Sequence, residues 1–137
     1  MNTRKKSLIL IGLFGFLVLL SACAKPLTMK DNGRRLELPI DGAFEVELPG
    51  NPTTGFSWEL ASSNPELVKM IGEPKYEAAS SGRIGGGGIY TFQFQTLGAG
   101  QSVVVLVYHR PWEKDVSPAE TFSVTIVSGL MGQIEEQ

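Results

Sequence analysis

The chain has 137 residues, with 12 basic and 14 acidic side chains, one histidine and one cysteine, and a formal net charge of −2. This slightly acidic balance disfavours a nucleic-acid partner, which would require a basic face. A single cysteine excludes a disulfide within the chain, and one histidine with one cysteine gives no recognisable zinc or iron site. We therefore expect no metal and no cofactor.

The N-terminal residues predict export. Residues 4–6 are all basic and residues 8–20 are almost wholly apolar, which is typical of a secretory signal peptide. The apolar run is shorter than the about 20 residues of a membrane-spanning helix. Its Leu-Ser-Ala-Cys ending resembles a bacterial lipobox. We expect cleavage of residues 1–22 and lipidation of Cys23, which would anchor the exported protein to the bacterial cell envelope.

Removal of the signal peptide would leave one domain. Residues 1–22 hold three of the 12 basic residues and none of the 14 acidic ones, so the remaining 115 residues carry a formal charge of −5. Those charges are scattered, as on a solvated surface. We expect residues 23–29 to form the lipidated N-terminus and a linker, and residues 30–137 to form a single domain.

The rest of the chain predicts short strands separated by turns. Seven segments have the alternation or apolar content of strands, near residues 36–40, 44–48, 56–60, 67–71, 90–94, 102–108 and 122–126. The valine-rich sixth segment is typical of a central strand covered on both faces. No window has a sustained helical period. The pattern predicts an all-β, immunoglobulin-like β-sandwich of about seven strands, with Trp58 as a core residue.

The connection between the second and third strands has the sequence Asn51-Pro52-Thr53-Thr54-Gly55. Asparagine can bond its own backbone, proline fixes φ and glycine allows positive φ, so we expect a stiff loop. Taken alone, the motif is more simply interpreted as a five-residue hairpin turn, because Asn-Pro and Thr-Gly are common turn pairs.

A second unusual connection, residues 77–88, ends in four consecutive glycines, Gly85, Gly86, Gly87 and Gly88. A backbone without side chains can approach another backbone closely, although such a run is also typical of a mobile linker. A phosphate-binding role is disfavoured, since no Lys-Ser/Thr pair and no helix start follow the glycines.

The third connection, residues 109–114, contains Arg110, Pro111 and Trp112. Arginine and tryptophan are enriched at binding hot spots, and proline lowers the entropy lost on docking. The alternative is that Trp112 folds back onto the edge of the sandwich. Loops after the second, fourth and sixth strands of such a sandwich emerge at one end, so we expect the three connections to form one edge.

These three motifs, in this order, resemble those of the chagasin family of cysteine-protease inhibitors. The matching residues are Asn-Pro-Thr-Thr-Gly at 51–55 with Phe56 and Trp58, the glycines with Phe92 downstream, and Arg-Pro-Trp at 110–112. The resemblance covers about residues 30–128. It implies an immunoglobulin-like inhibitor that inserts the three loops across the active-site cleft of a papain-like protease.

The resemblance also implies a role for each loop. Thr53 and Thr54 would lie at the catalytic Cys–His pair of the protease. The backbone of Gly85–Gly88 would follow the non-prime side, and Arg110 with Trp112 would cover the prime side. The protease would be the organism's own or a foreign one, and the inhibitor is expected to act as a monomer.

An enzyme is not expected, because His109 is the only histidine and no nucleophile-elbow motif is present. A different class of binding protein is the remaining alternative. An envelope-anchored, immunoglobulin-like adhesion or assembly module would use the same loops on another protein or a glycan.

Overall fold

A computed structural model describes residues 24–79 and 86–129. The predicted signal peptide, Cys23 and Gly85 lie outside this range. Within the described residues, no helix is long and apolar enough to cross a membrane.

Eight strands make up most of the described chain. They are β1 (Arg35–Leu38), β2 (Ala43–Gly50), β3 (Ser57–Ser62), β4 (Val68–Met70), β5 (Lys75–Ala78), β6 (Gly88–Thr96), β7 (Gly100–His109) and β8 (Glu120–Ser128). Two single 3₁₀ turns, Met29–Asp31 and Pro52–Thr54, lie in the connections.

The strands form two sheets that pack face to face. One has the strand order β1-β8-β7-β3, and the other has the order β2-β6-β4, with β5 also paired to β6. Only β1 and β8 pair in parallel; the remaining named pairs are antiparallel. The predicted all-β sandwich is confirmed.

In β2, β6, β7 and β8, alternate side chains face inward and form most of the core, as the period of a strand predicts. Fully buried residues come from both sheets: Val46, Leu48, Phe92 and Phe94 from one, and Val104, Leu106, Phe122 and Val124 from the other. Trp58 is 2% exposed, which confirms its predicted place in the core.

Three details of the strands differ from the sequence prediction. β7 is covered on one face only, since Val103 on its other face is 47% exposed. Ile40 lies outside β1 and is 46% exposed, because Pro39 follows the last residue of that strand. Strand β5 was not predicted, because its sequence Lys-Tyr-Glu-Ala alternates over only four residues and has Tyr76 as its one large apolar side chain.

The fold also starts before the predicted domain boundary at residue 30. The backbone N–H of Leu27 donates to the Glu45 oxygen at 2.8 Å, and the N–H of Glu47 donates to the Leu27 oxygen at 2.8 Å. The Leu27 side chain is 5% exposed within the core. The segment predicted as a linker therefore contributes a residue to the sandwich.

Trp58 joins the two sheets at the end where β2 runs into β3. It lies on β3, and its indole Nε1 donates a hydrogen bond of 2.9 Å to the carbonyl oxygen of Pro49 on β2. A buried indole N–H usually finds such a partner, so the bond fixes both the ring and the end of β2.

Replacing Trp58 with phenylalanine tests this link. Trp58→Phe removes the N–H donor and part of a buried ring, so we expect a loss of about 1–3 kcal/mol of unfolding free energy in urea. The control Val103→Thr keeps a β-branched residue at an exposed position and should stay within about 0.5 kcal/mol of wild type. Equal midpoints for wild type and Trp58→Phe would show that the indole is dispensable.

Candidate functional site

Three connections start and finish at the same end of the sandwich. We call them the threonine loop (residues 51–56), the glycine loop (residues 79–87, of which 79, 86 and 87 are described) and the tryptophan loop (residues 110–119). The register pairs Gly50 with Gly88, Ser57 with His109 and Tyr108 with Glu120, so the strands flanking all three loops meet at this end.

The threonine loop contains a single 3₁₀ turn, Pro52–Thr54, with several hydrogen bonds within the loop. The Asn51 Oδ1 atom accepts from the Thr53 N–H at 3.1 Å and from the Thr53 hydroxyl at 2.6 Å. The Thr54 hydroxyl donates to the Asn51 oxygen at 2.7 Å. Gly55 closes the turn with φ +82° and donates to the Pro52 oxygen at 3.0 Å. These bonds give the stiffness predicted from the sequence.

Tyr108 holds the base of this turn and was not singled out from the sequence. Its hydroxyl oxygen accepts the Asn51 N–H at 2.8 Å. Its ring lies 5.2 Å from the rings of both Phe56 and Trp58. The available signal was an aromatic residue at the end of a strand, just before Arg-Pro-Trp, but its partner is 57 residues away in sequence.

A pair of tyrosines, Tyr76 and Tyr90, lies at the same end, on the strands that flank the glycine loop. The rings of Tyr76 and Tyr90 are 4.9 Å apart, on neighbouring strands. Burial, and after it the neighbouring Tyr108 and Tyr76, raise the pKa of Tyr90 above its usual value. A Cβ atom at Gly50 would lie 2.7 Å from the Tyr90 ring, so the absence of a side chain at that position lets the rings pack.

The indole of Trp112 lies over Gly55. A Cβ atom at Gly55 would overlap the indole Cη2 atom and approach Cζ2 to 3.0 Å. Trp112 is nevertheless 65% exposed. Part of the indole ring therefore packs on the threonine loop, and the rest is exposed. The alternative from the sequence analysis, in which Trp112 folds back onto the sheets, predicts a different position.

The Arg110 side chain faces the threonine loop as well. Its Nε donates to the Thr54 oxygen at 3.2 Å, and its Nη1 donates to the Glu113 Oε1 at 3.1 Å. The guanidinium carbon lies 4.4 Å from the centre of the Phe56 ring, a cation–π contact. These contacts join the threonine and tryptophan loops into one unit.

Not all four glycines lie in the connection as the sequence predicts, because Gly88 belongs to strand β6. Gly86 is half-buried and Gly87 is exposed, and the Gly87 oxygen accepts the Ala79 N–H at 3.0 Å. Gly88 already belongs to β6, where it pairs with Gly50 on one side and Ala78 on the other. A Cβ atom there would overlap the Glu77 oxygen, so the sheet itself requires this glycine.

The exposed residues of the three motifs are uncharged: Pro52, Thr53, Thr54, Gly87, Pro111 and Trp112. Charged side chains follow on the tryptophan loop, where Lys114 and Asp115 are exposed and Glu113 is half-buried. His109 lies beneath this edge and contacts the Glu59 Oε2 at 2.8 Å. The described residues contain no group of three His, Cys, Asp or Glu side chains that could hold a metal ion. Such an edge is suited to binding another molecule.

Comparisons with known proteins show the class of molecule. The sequence profile described as "Chagasin family peptidase inhibitor I42" matches residues 37–126. Chagasin from Trypanosoma cruzi is 34% identical over 100 residues, which are 71% of this chain and 91% of chagasin. The fold and the sequence thus define a peptidase inhibitor rather than an enzyme, and the chain belongs to the chagasin family.

Solved structures agree with this assignment. The crystal structure of the cysteine protease inhibitor EhICP2 from Entamoeba histolytica superimposes with a TM-score of 0.67 at 26% identity, covering 74% of this chain and 92% of that one. PbICP-C, solved in complex with falcipain-2, shares the fold with a TM-score of 0.56 at 19% identity, covering 77% and 90%. The predicted immunoglobulin-like fold is confirmed, as is the predicted function of inhibiting papain-like cysteine proteases at the level of the family.

The contact between Gly55 and Trp112 can be tested in the free protein. Gly55→Ala places a Cβ atom on a residue with φ +82° and against the Trp112 indole. We expect the free energy of unfolding to fall by about 1–3 kcal/mol and the indole to be displaced. Acrylamide quenching of fluorescence should rise, and it reports mainly on Trp112 because Trp58 is buried.

Gly33→Ala is the matched control. Gly33 has φ +80°, and a Cβ atom added to it would meet no other atom within 4 Å, so the substitution adds the same backbone strain without touching the indole. Identical quenching in the two variants would show that Gly55 does not seat Trp112.

Proposed function

We propose that this protein inhibits papain-like cysteine proteases by placing the threonine loop, flanked by the other two loops, across the active-site cleft. The observation that carries the proposal is the seating of Trp112 on Gly55, which makes two loops one continuous, exposed edge. Family membership gives the class of target, and the geometry of the edge suggests how this chain meets it.

The threonine loop has the properties of an obstruction that is not a substrate. Proteases of this type bind extended backbone, but Pro52–Thr54 is folded into a 3₁₀ turn. The carbonyl oxygens of Asn51 and Pro52 already accept hydrogen bonds from Thr54 and Gly55. With these bonds in place, the exposed Thr53 and Thr54 would fill the space at the catalytic Cys–His pair without presenting an extended peptide for attack.

The flanking loops would cover the two halves of the cleft. Trp112, 65% exposed, offers an indole to an aromatic or aliphatic wall on the prime side. On the non-prime side, the exposed Gly87 and its neighbours offer main chain unobstructed by side chains, suited to strand-like addition. Gly88 would act indirectly there, because its backbone lies between two strands of the sheet.

Lipidation at Cys23 and attachment to the bacterial envelope are part of the proposal. Ala24 lines a groove together with Gly42 and Ala43, at the start of β2. The threonine loop follows the other end of this eight-residue strand, about 25 Å away. A lipid-anchored protein would therefore hold its inhibitory edge away from the membrane and open to a soluble protease.

Titration of papain with the purified protein tests the proposed inhibition. We expect loss of papain activity at micromolar concentration or below. Trp112→Ala should weaken inhibition at least about tenfold, or 1.4 kcal/mol, because the exposed indole is the largest apolar group at the edge.

Ile40→Ala serves as the control, since Ile40 is 46% exposed and lies in the β1–β2 turn at the opposite end of the sandwich. It should inhibit like wild type. No inhibition by the folded wild-type protein at micromolar concentrations would reject the proposal for papain-type targets.

The anchor has a separate test in bacterial cells that produce the full chain. Wild type should incorporate labelled palmitate and sediment with membranes, and Cys23→Ala should lose both properties because the acylated thiol is gone. Purified Cys23→Ala should still inhibit papain. Undiminished palmitate labelling of Cys23→Ala, or a wild-type protein without label, would contradict the anchor.

A further inference from the structure

The side chain of Arg110 is engaged within the protein. One guanidinium nitrogen bonds the Thr54 oxygen, a second bonds Glu113, and the plane lies over Phe56. The side chain of Arg110 is 37% exposed. The sequence motif alone suggests that Arg110 contacts a binding partner. In the free protein the side chain already makes three intramolecular contacts.

These contacts act on the two residues that shape the edge. The Thr54 carbonyl belongs to the peptide that leads into Gly55, so a bond to its oxygen fixes the orientation of that peptide. Gly55 in turn supports the Trp112 indole. Pro111 and Trp112 lie between Arg110 and Glu113, and the ion pair of 3.1 Å thus closes the loop segment that carries the indole.

We propose that Arg110, oriented by Glu113, is a positioning residue that holds the threonine loop and Trp112 in their binding arrangement before a protease arrives. The inference rests on the proposed function, because the arrangement it preserves is the inhibitory edge. Ordering the loops in the free protein lowers the entropy lost on docking and so raises affinity without a direct contact.

Arginine is suited to this role in a way that lysine is not. Its planar fork donates in two directions at once, to the Thr54 carbonyl and to the Glu113 carboxylate, while the guanidinium carbon lies over the Phe56 ring. A lysine ammonium is a single flexible point charge. An exposed ion pair alone would contribute little, so the combination of three contacts carries the effect.

Amide hydrogen exchange of the free protein tests the positioning role directly. In Arg110→Ala we expect exchange at Thr54 and Gly55 to speed up about tenfold, because the turn opens more often once its carbonyl clamp is gone. Glu113→Ala should produce a smaller change at the same two amides. Arg110→Lys should restore little of the protection, since it keeps the charge but not the fork.

Arg35→Ala is the control, because Arg35 is an exposed arginine on β1 that bonds Gln101 at 3.2 Å. It removes the same charge and should leave the exchange of Thr54 and Gly55 unchanged. Strand amides such as those of β7 should keep wild-type protection in every variant, which separates a local effect from global destabilisation.

Inhibition of papain by the same variants completes the test. Arg110→Ala should raise the inhibition constant about tenfold, and the double variant Arg110→Ala/Glu113→Ala should be no weaker than Arg110→Ala, because both act through one clamp. A raised inhibition constant with unchanged exchange in the free protein would make Arg110 a direct protease contact and overturn the proposal.

The exchange measurement does not depend on any protease. If wild type failed to inhibit papain, the proposed function would fall, while faster exchange in Arg110→Ala would still support the clamp. Unchanged exchange in both Arg110→Ala and Arg110→Lys would reject the clamp whatever the inhibition data show.

Discussion

The hydrogen bond from the Trp58 indole to the Pro49 carbonyl oxygen joins the two sheets directly beneath the threonine loop. The protein can form no disulfide within its chain, so this end of the sandwich depends on packing and on such bonds. The hydroxyl oxygen of Tyr108, which pairs with Trp58 across β7 and β3, accepts the Asn51 N–H in the same region. Both aromatic residues thus fix the loop to the core, and the geometry of the edge follows from them.

Hydrogen bonds hold the threonine loop in one turn and join it to the tryptophan loop. Asn51, Thr53 and Thr54 form hydrogen bonds with one another within one turn. Arg110 of the tryptophan loop donates to the carbonyl oxygen of Thr54. The exposed residues of the three motifs are uncharged, whereas Lys114 and Asp115 are exposed farther along the tryptophan loop. A surface with these properties can occupy a cleft at a low entropy cost, and it carries no catalytic group of its own.

Hydrophobic alternation or a short apolar run predicted seven of the eight strands, because both are local properties of the sequence. In strand β5 this signal is limited to four residues, and the strand pairs with β6. The three motifs led to the site, but the parts played by individual residues depend on distant partners. Gly88 lies between two paired strands, and Arg110 bonds the carbonyl oxygen of Thr54, 56 residues away in sequence. Neither partner can be read from the local pattern.

Alkylation of the catalytic cysteine of papain tests most directly whether the edge occupies the active-site cleft. Iodoacetamide would be added to papain alone and to papain saturated with the inhibitor, with complex formation followed by gel filtration. We propose that Thr53 and Thr54 cover the thiol, and we therefore expect alkylation to slow in proportion to the fraction of papain in complex. An unchanged alkylation rate in a fully formed complex would contradict this proposal.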